Sequence, residues 1–293
     1  MKPEIQKNWT FEWGERLFTM DSFEDKVQKL KDVRVFLLDM DGTIFLGEKL
    51  LPRAKEFLDY LRSSGRRFIF LTNNSSKDKG SYVEKLKKLG IEAKPEEILT
   101  SGEATCIYLK SIGTKRVYLM GTPELENEFR SWGIELTEQD PEYVVLGFDK
   151  TLTYHKLVVG CEFLRRGVPF IATHPDFNCP MENTYIPDTG SMIELMKAST
   201  GVSPKVIGKP NKEIIESAFK KFNNEHDKKE FAMVGDRVYT DVKTGINAGI
   251  CAILVLSGES TLQTVEESDV KPTVIAENVG EIMDCLKVID GKN

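Results

Sequence analysis

The feature that most constrains the fold of this chain is an alternation of short, uninterrupted apolar runs with longer stretches of helical periodicity. VRVFLL (33–38), RFIFLT (67–72), FAMVG (231–235) and CAILVLSG (251–258) are apolar at nearly every position rather than every second one. Such runs suit strands covered on both faces, and the intervening helices supply the crossovers that a parallel sheet requires. LPRAKEFLDYLRSSG places Ala54, Phe57, Leu58 and Leu61 at helical spacing, with Pro52 near its start and Gly65 after its end. SYVEKLKKLG reads as a second helix closed by Gly90, and EEILTSGEATCIYLKS as a short strand leading into a helix. The fold class is therefore α/β, with a Rossmann-like parallel sheet.

A second alternating series begins near residue 114. RVYLMG, YVVLGFD and VPFIATH read as strands, and PELENEFRSWG and TYHKLVVGCEFLRRG as helices. The polar loop PDFNCPMENTYIPDTG and the helix SMIELMKAST follow, and the first pattern resumes after SPKVIGKP. This divides the chain into a core (33–113 and 204–293), an inserted α/β layer (114–203) and an N-terminal helical extension (1–32). The extension gathers Trp9, Phe11, Trp13, Leu17 and Phe18. Packing on the core is the plain reading of it, and a lid or partner-binding segment is the alternative.

Several function classes are excluded. The formal charge is −6 and no run of Lys and Arg occurs, so no nucleic-acid footprint is expected. No apolar stretch reaches the roughly 20 residues that cross a bilayer, and MKPEIQKNWTFEW lacks the apolar centre of a signal peptide. Cys106, Cys161, Cys179, Cys251 and Cys285 are scattered without a CxxC pair, which argues against zinc or a disulfide framework and for a reducing cytoplasm. His155, His174 and His226 are too far apart to form a metal cluster by spacing.

Ligands of open parallel sheets sit beyond the carboxyl ends of the strands. Four polar clusters occupy such positions. VFLL runs into Asp39-Met40-Asp41-Gly42-Thr43, FIFL into Thr72-Asn73-Asn74-Ser75, KVIG into Lys209-Pro210, and FAMV into Gly235-Asp236-Arg237 with Thr240-Asp241 beyond. Placed in one sheet, the four strands would direct all four clusters into one crevice. Each has an ordinary alternative: Asp-Gly is turn chemistry, Thr-Asn-Asn can cap a helix, a lysine before proline can be solvated, and Asp241 can favour a helix N-terminus. Their joint occurrence in this order is much harder to obtain by accident.

Together they suit phosphoryl transfer. A carboxylate can attack phosphorus, and clustered carboxylates with oxygen-only donors suit Mg²⁺. Hydroxyl and amide donors with one fixed cation can bind the equatorial oxygens, and the free N–H groups of a turn can cradle phosphate.

LLDMDGT, FLTNN, GKP and MVGDRVYTD resemble, in order, the four motifs of the haloacid dehalogenase (HAD) superfamily of phosphohydrolases, across residues 35–241. The resemblance implies that Asp39 is the nucleophile and Asp41 the general acid and then base. It implies that Asp39, the Asp41 carbonyl and Asp236 bind Mg²⁺, with Asp241 behind them holding a metal-bound water or orienting Lys209. Thr72, Asn73 and the turn at Met40 and Asp41 would bind phosphate, and Lys209 would neutralise the nucleophile–phosphate pair. An aspartate at position 41 favours phosphatase or phosphomutase chemistry over ATPase or dehalogenase chemistry.

An inserted layer of about 90 residues between the second and third motifs resembles the type IIA cap, as do LGFDKTLTYHKL, DTGSM and GKPNKEII. That subgroup holds NagD-like and 4-nitrophenyl phosphatases and pyridoxal phosphate phosphatase. The implied activity is Mg²⁺-dependent hydrolysis of small phosphorylated metabolites, such as sugar or polyol phosphates, through an aspartyl-phosphate. His174, Asp176 and Asn178 are the candidate substrate-selecting residues of the cap, and caps of this subgroup often contribute to homodimers, which leaves the oligomeric state of this chain open. A phosphomutase or phosphotransferase would use the same residues, and a phospho-accepting signalling module shares the Asp, Mg²⁺ and Lys. The segment IFLG after the first motif is expected to start a flap over the crevice.

Overall fold

The computed structural model describes residues 21–181 and 184–292. The aromatic cluster from Trp9 to Phe18 lies outside them. The strands, in chain order, are β1 (Val35–Leu38), β2 (Phe45–Leu46), β3 (Lys49–Leu50), β4 (Arg67–Thr72), β5 (Ile98–Thr100), β6 (Arg116–Met120), β7 (Glu135–Leu136) and β8 (Tyr143–Leu146). They continue with β9 (Phe170–Ala172), β10 (Asn178–Met181), β11 (Thr184–Pro187), β12 (Lys205–Val206), β13 (Phe231–Gly235), β14 (Cys251–Val255) and β15 (Val274–Ala276). The helices are α1 (Phe23–Leu30), α2 (Ala54–Ser63), α3 (Lys79–Lys88), α4 (Ser101–Ser111), α5 (Pro123–Ser131), α6 (Tyr154–Arg165), α7 (Thr189–Thr200), α8 (Glu213–Lys221), α9 (Lys243–Ala248), α10 (Leu262–Glu267) and α11 (Val279–Ile289).

Six parallel strands form the first sheet in the order β15-β14-β13-β1-β4-β5. The chain winds from β1 outward through β4 and β5, and later from β13 outward through β14 and β15. The winding therefore reverses beside β1, where an open α/β sheet leaves a crevice. All four residues of β1 are buried, as its continuous apolar run requires. Phe36 and Leu38 point into a core shared with α1, α2, α3 and α11, and Val35 and Leu37 into one shared with α4 and α8.

The second sheet has the order β12-β9-β8-β6-β7. Its strands alternate between two cores. Tyr118, Met120, Val144 and Leu146 meet Cys161, Leu164, Ile193 and Met196 of α6 and α7. Val117, Leu119, Val145 and Ile171 instead join Leu125 and Phe129 of α5 and the first sheet's Leu37, Ile69 and Leu99 in one continuous cluster. The two layers thus share a core, in which each fully buried Leu, Ile or Phe stabilises by about 1.5–3 kcal/mol relative to exposure.

Two sequence expectations change here. KVIG does not lie in the first sheet. Lys205 and Val206 pair with Ile171 and Ala172 of β9, so β12 is the edge of the second sheet and the core series resumes only after it. Periodicity identifies a strand without naming its partner. The polar loop after His174 also carries regular structure, a two-stranded hairpin of β10 and β11. Pro180 is tolerated there because the ribbon joins no larger sheet. Phe45 and Leu46 pair with Leu50 and Lys49, so a short hairpin stands where IFLG is expected to start a flap.

Candidate active site

Asp39 follows β1 directly, with its N–H donating to the Val234 carbonyl of β13 at 2.9 Å. The chain then turns tightly on the Met40 carbonyl, which accepts from the N–H groups of Thr43, Ile44 and Phe45 at 3.3, 2.9 and 3.1 Å. No hydrogen bond among the described residues uses the N–H of Met40 or Asp41. Gly42 makes the turn possible. Its φ is +81°, and a Cβ there would stand 2.3 Å from Asp236 Oδ2.

Asp236 caps β13 in the neighbouring position. Its Oδ2 accepts from Glu259 N–H at 2.7 Å, while its Oδ1 is buried without a partner. Five residues later a wide turn, with Val242 N–H bonded to the Arg237 carbonyl at 3.2 Å, brings Asp241 back beneath Gly235. Such i→i+5 turns recur at functional sites. Oxygen atoms of Asp39, Asp236 and Asp241 lie within 4.8 Å of one another.

Lys209 enters this acidic cluster from the other layer, at the end of the segment that follows β12. It is 4% exposed, ion-paired with Asp39, and 2.7 Å from Asp241 Oδ1. Burial works against the Lys209 ammonium, but Asp241 and Asp39 outweigh it and hold its pKa above the usual lysine value. Burial also pushes the Asp39 carboxyl well up, against the pull of Lys209 and with the repulsion of Asp241 and Asp236. Asp236 rises to about 6, chiefly by burial and then by Asp241. Burial first, and the neighbouring carboxylates after it, raise the proton affinity of Asp39 and Asp236.

Asp41 is different. Its side chain is 64% exposed toward the crevice, with Lys85 Nζ of α3 at 3.8 Å and the Lys85 ammonium resting 3.9 Å from the Phe45 ring centroid. Desolvation in the crevice raises the Asp41 carboxyl, opposed by Lys85 and Arg237.

The second cluster has two functions. Thr72 Oγ1 accepts from Asn74 N–H at 3.2 Å, and its hydroxyl also meets that of the buried Tyr82. Asn73 is committed elsewhere. Its Oδ1 accepts from Lys209 N–H at 2.8 Å, and its Nδ2 donates to the Lys209 carbonyl at 3.0 Å and to Asp176 at 3.1 Å. The expected direct donation from the Asn73 amide to phosphate therefore differs from the arrangement found, in which Asn73 clamps the Lys209 backbone.

Of the cap residues, Asp176 reaches the site through Asn73, and Asn178 is exposed on β10, paired with Pro187. His174 is corrected. It is fully buried, with Nδ1 2.9 Å from Thr173 Oγ1 and Nε2 2.9 Å from Asp188 Oδ1, so it presents no surface to a substrate. Sequence reasoning placed Ser75 in the second polar cluster but missed its role: its hydroxyl accepts from Phe148 N–H at 2.9 Å and lies 3.0 Å from Thr173 Oγ1. It also missed Gly258, where a Cβ would stand 2.0 Å from Asp236 Oδ2. The serine pair following Thr-Asn-Asn was the available signal for the first; nothing in LSGES singles out the second.

The acidic cluster fits a divalent cation. Oxygen donors converge, and the buried Asp236 Oδ1 lacks any protein partner.

A family profile described as haloacid dehalogenase-like hydrolase matches residues 36–135, and a second, HAD-hydrolase-like, matches residues 206–282. An acid sugar phosphatase of Staphylococcus aureus is 38% identical over 255 residues, covering 86% of this chain and 97% of the relative. A crystal structure of 4-nitrophenylphosphatase from Thermotoga maritima superposes with a TM-score of 0.82 at 46% identity, covering 87% of this chain and 98% of that one. A glycerol phosphate phosphatase from Mycobacterium tuberculosis, solved in complex with calcium, gives 0.80 at 27% identity, covering 87% of this chain and 76% of that one.

Proposed function

The chain belongs to the haloacid dehalogenase-like hydrolases and is a phosphatase of that type, and from that premise we propose an Mg²⁺-dependent phosphomonoesterase of small phosphorylated metabolites, sugar or polyol phosphates among them, working through an aspartyl-phosphate on Asp39. The observation that carries this reading is the division of labour between the two aspartates of one turn. Asp39 is ion-paired with Lys209 beside Asp236 and Asp241, whereas the Asp41 carboxyl faces the crevice.

Asp39, Asp236 and the Asp41 carbonyl would hold Mg²⁺, with Asp241 behind them, and the ion would supply positive charge against the phosphoryl oxygens. Thr72 Oγ1 and the N–H groups of Met40 and Asp41 donate to those oxygens, and Lys209 offsets their charge. An Asp39 carboxylate oxygen attacks phosphorus as the phosphorus–oxygen bond to the alcohol breaks, and Asp41 protonates the departing oxygen. Asp41, now a carboxylate, takes a proton from water whose oxygen displaces Asp39 from phosphorus. The raised pKa of Asp41 suits the first, acid step. The second layer covers the crevice and keeps bulk water from the reaction.

The names of the relatives support a sugar or polyol phosphate as substrate. Release of inorganic phosphate from 4-nitrophenyl phosphate without an added acceptor is the test. Activity should vanish in Asp39→Asn and in EDTA, and Mg²⁺ should restore it to the wild type. Wild-type rates in a metal-replete Asp39→Asn protein would sink the mechanism.

A further inference from the structure

Lys209 belongs to the second layer by its backbone and to the first by its charge, so something must hold the two in register. Asn73 does so directly, but the Asn73 loop is itself secured from the second layer. Phe148 N–H donates to Ser75 Oγ at 2.9 Å, Ser75 Oγ lies 3.0 Å from Thr173 Oγ1, and Thr173 Oγ1 lies 2.9 Å from His174 Nδ1. His174 Nε2 lies 2.9 Å from Asp188 Oδ1 at the start of α7. One consistent proton order satisfies every group. Asp188 can only accept, so Nε2 carries the hydrogen, Nδ1 accepts from Thr173, Thr173 accepts from Ser75, and Ser75 accepts from Phe148. The Ser101 hydroxyl donates to the Asn73 carbonyl and also touches His174 Nδ1 at 3.4 Å.

Packing closes the remaining slack. Gly208 N–H donates to the Thr173 carbonyl at 2.7 Å. A Cβ on Gly208 would stand 2.6 Å from Asn73 Oδ1 and 2.9 Å from His174 Cβ. Thr173, His174, Ser75 and Ser101 are all buried, where hydrogen-bonded chains strengthen one another and tolerate no missing member.

We propose that His174 is a positioning residue for Lys209, acting through its Nδ1 on Thr173 and Ser75 to hold the Asn73 loop that fixes the lysine's backbone. This rests on the role given to Lys209 above. It reassigns His174 from substrate contact to the alignment of the residue that neutralises the nucleophile–phosphate pair.

The geometry separates the ring's two nitrogens, and so does the experiment. Asparagine places its oxygen where Nδ1 stands and can accept from Thr173 while losing Asp188; glutamine reaches Asp188 and abandons Thr173. With 4-nitrophenyl phosphate, His174→Asn should retain kcat within about 3-fold. His174→Gln and His174→Phe should each lower kcat on the order of 100-fold, as about 1 Å of displacement does, with little change in KM. Circular dichroism and thermal melts verify folding. Adding His174→Gln to a Lys209→Ala background should cost less than 3-fold more, since the group being positioned is already gone. Equal activity in the Asn and Gln variants, rescue by Gln instead of Asn, or full additivity with Lys209→Ala would each overturn the proposal. Undiminished activity in Lys209→Ala alone would instead refute the role given to Lys209, which keeps the two failures apart.

Discussion

Replacing Glu128 by glutamine should stabilise the protein at pH 8 and change little at pH 4. Glu128 lies on α5 of the second layer, with Oε2 3.5 Å from the hydroxyl of Thr100, the N-cap of α4. A Cβ on Gly102 would stand 2.8 Å from that same oxygen, so the carboxylate is packed onto the first turn of a first-layer helix. The nearby cations are already engaged: the buried Glu103 takes Lys79 at 2.7 Å and Lys221 at 3.0 Å. Burial, and then Glu103, push the Glu128 carboxyl from its ordinary 4.5 up to about 7, against Lys79 and Thr100. A carboxyl with a raised folded pKa binds its proton more tightly in the native state. Its contribution is therefore fully present below the unfolded pKa and is lost as pH rises toward 7. That displacement corresponds to a ceiling of about 3 kcal/mol at ~1.4 kcal/mol per pH unit, and partial exposure reduces it to about 1–2 kcal/mol. Urea unfolding at both pH values checks the argument. The variant's midpoint should exceed the wild type's at pH 8 with an unchanged m-value, and the two should converge at pH 4. An equal difference at both pH values, or a loss at pH 8, would refute the reasoning.

Lys209→Met should abolish phosphatase activity and, in EDTA, destabilise the fold by about 3–5 kcal/mol, because the buried Asp236 and Asp241 and the partly buried Asp39 then lack their ammonium; thermal melts with and without Mg²⁺ measure both the loss and its partial recovery. Gly42→Ala should cost at least ~1–2 kcal/mol from its left-handed backbone alone and also impair hydrolysis, since the added methyl meets Asp236; wild-type rates would contradict the packing. Asp290 accepts from Arg66 at 2.6 and 2.9 Å and from Tyr60 at 2.6 Å, and Arg66 first among these groups lowers its pKa to about 2. A lowered carboxyl stabilises above its unfolded pKa and loses that contribution as pH falls, so Asp290→Asn should cost on the order of 1–2 kcal/mol at pH 7 and nothing near pH 2, read from midpoints of chemical unfolding.

The sequence made some features of this protein much more legible than others. The strands β1, β4 and β13 were plain, because a strand covered on both faces must be apolar throughout, and the polar residues that end each run marked the crevice. What stayed hidden was partnership. KVIG has the composition of a buried strand, yet hydrogen bonding to β9 rather than to the first sheet assigns it to the second layer. His174 follows a strand and precedes a polar loop, the same context as Asp39, and only burial distinguishes the two. Asn73 illustrates a related limit. An amide after a strand advertises donors, but whether they meet a ligand or a backbone depends on Lys209, 136 positions away in sequence.

The turn LLDMDGT poses an electrostatic difficulty that the fold resolves unequally. Asp39, Asp236 and Asp241 are brought within 4.8 Å of one another and answered by one lysine, leaving two negative charges in surplus. Glycines at 42, 235 and 258 permit this crowding, for a side chain at any of them would strike Asp236 or Asp241. Apolar residues of similar volume would serve stability better, since a buried ion cluster seldom repays its desolvation. The arrangement is therefore informative about chemistry, and the position of Lys209 adds a mechanical consequence. Because the lysine follows β12 at the edge of the second sheet while its partners follow β1 and β13 of the first, its ion pairs are contacts between the layers. A movement of the second layer that carried β12 away would strip the cluster of its ammonium. The charge balance around Asp39 and the contact between the two layers are consequently one property of the fold.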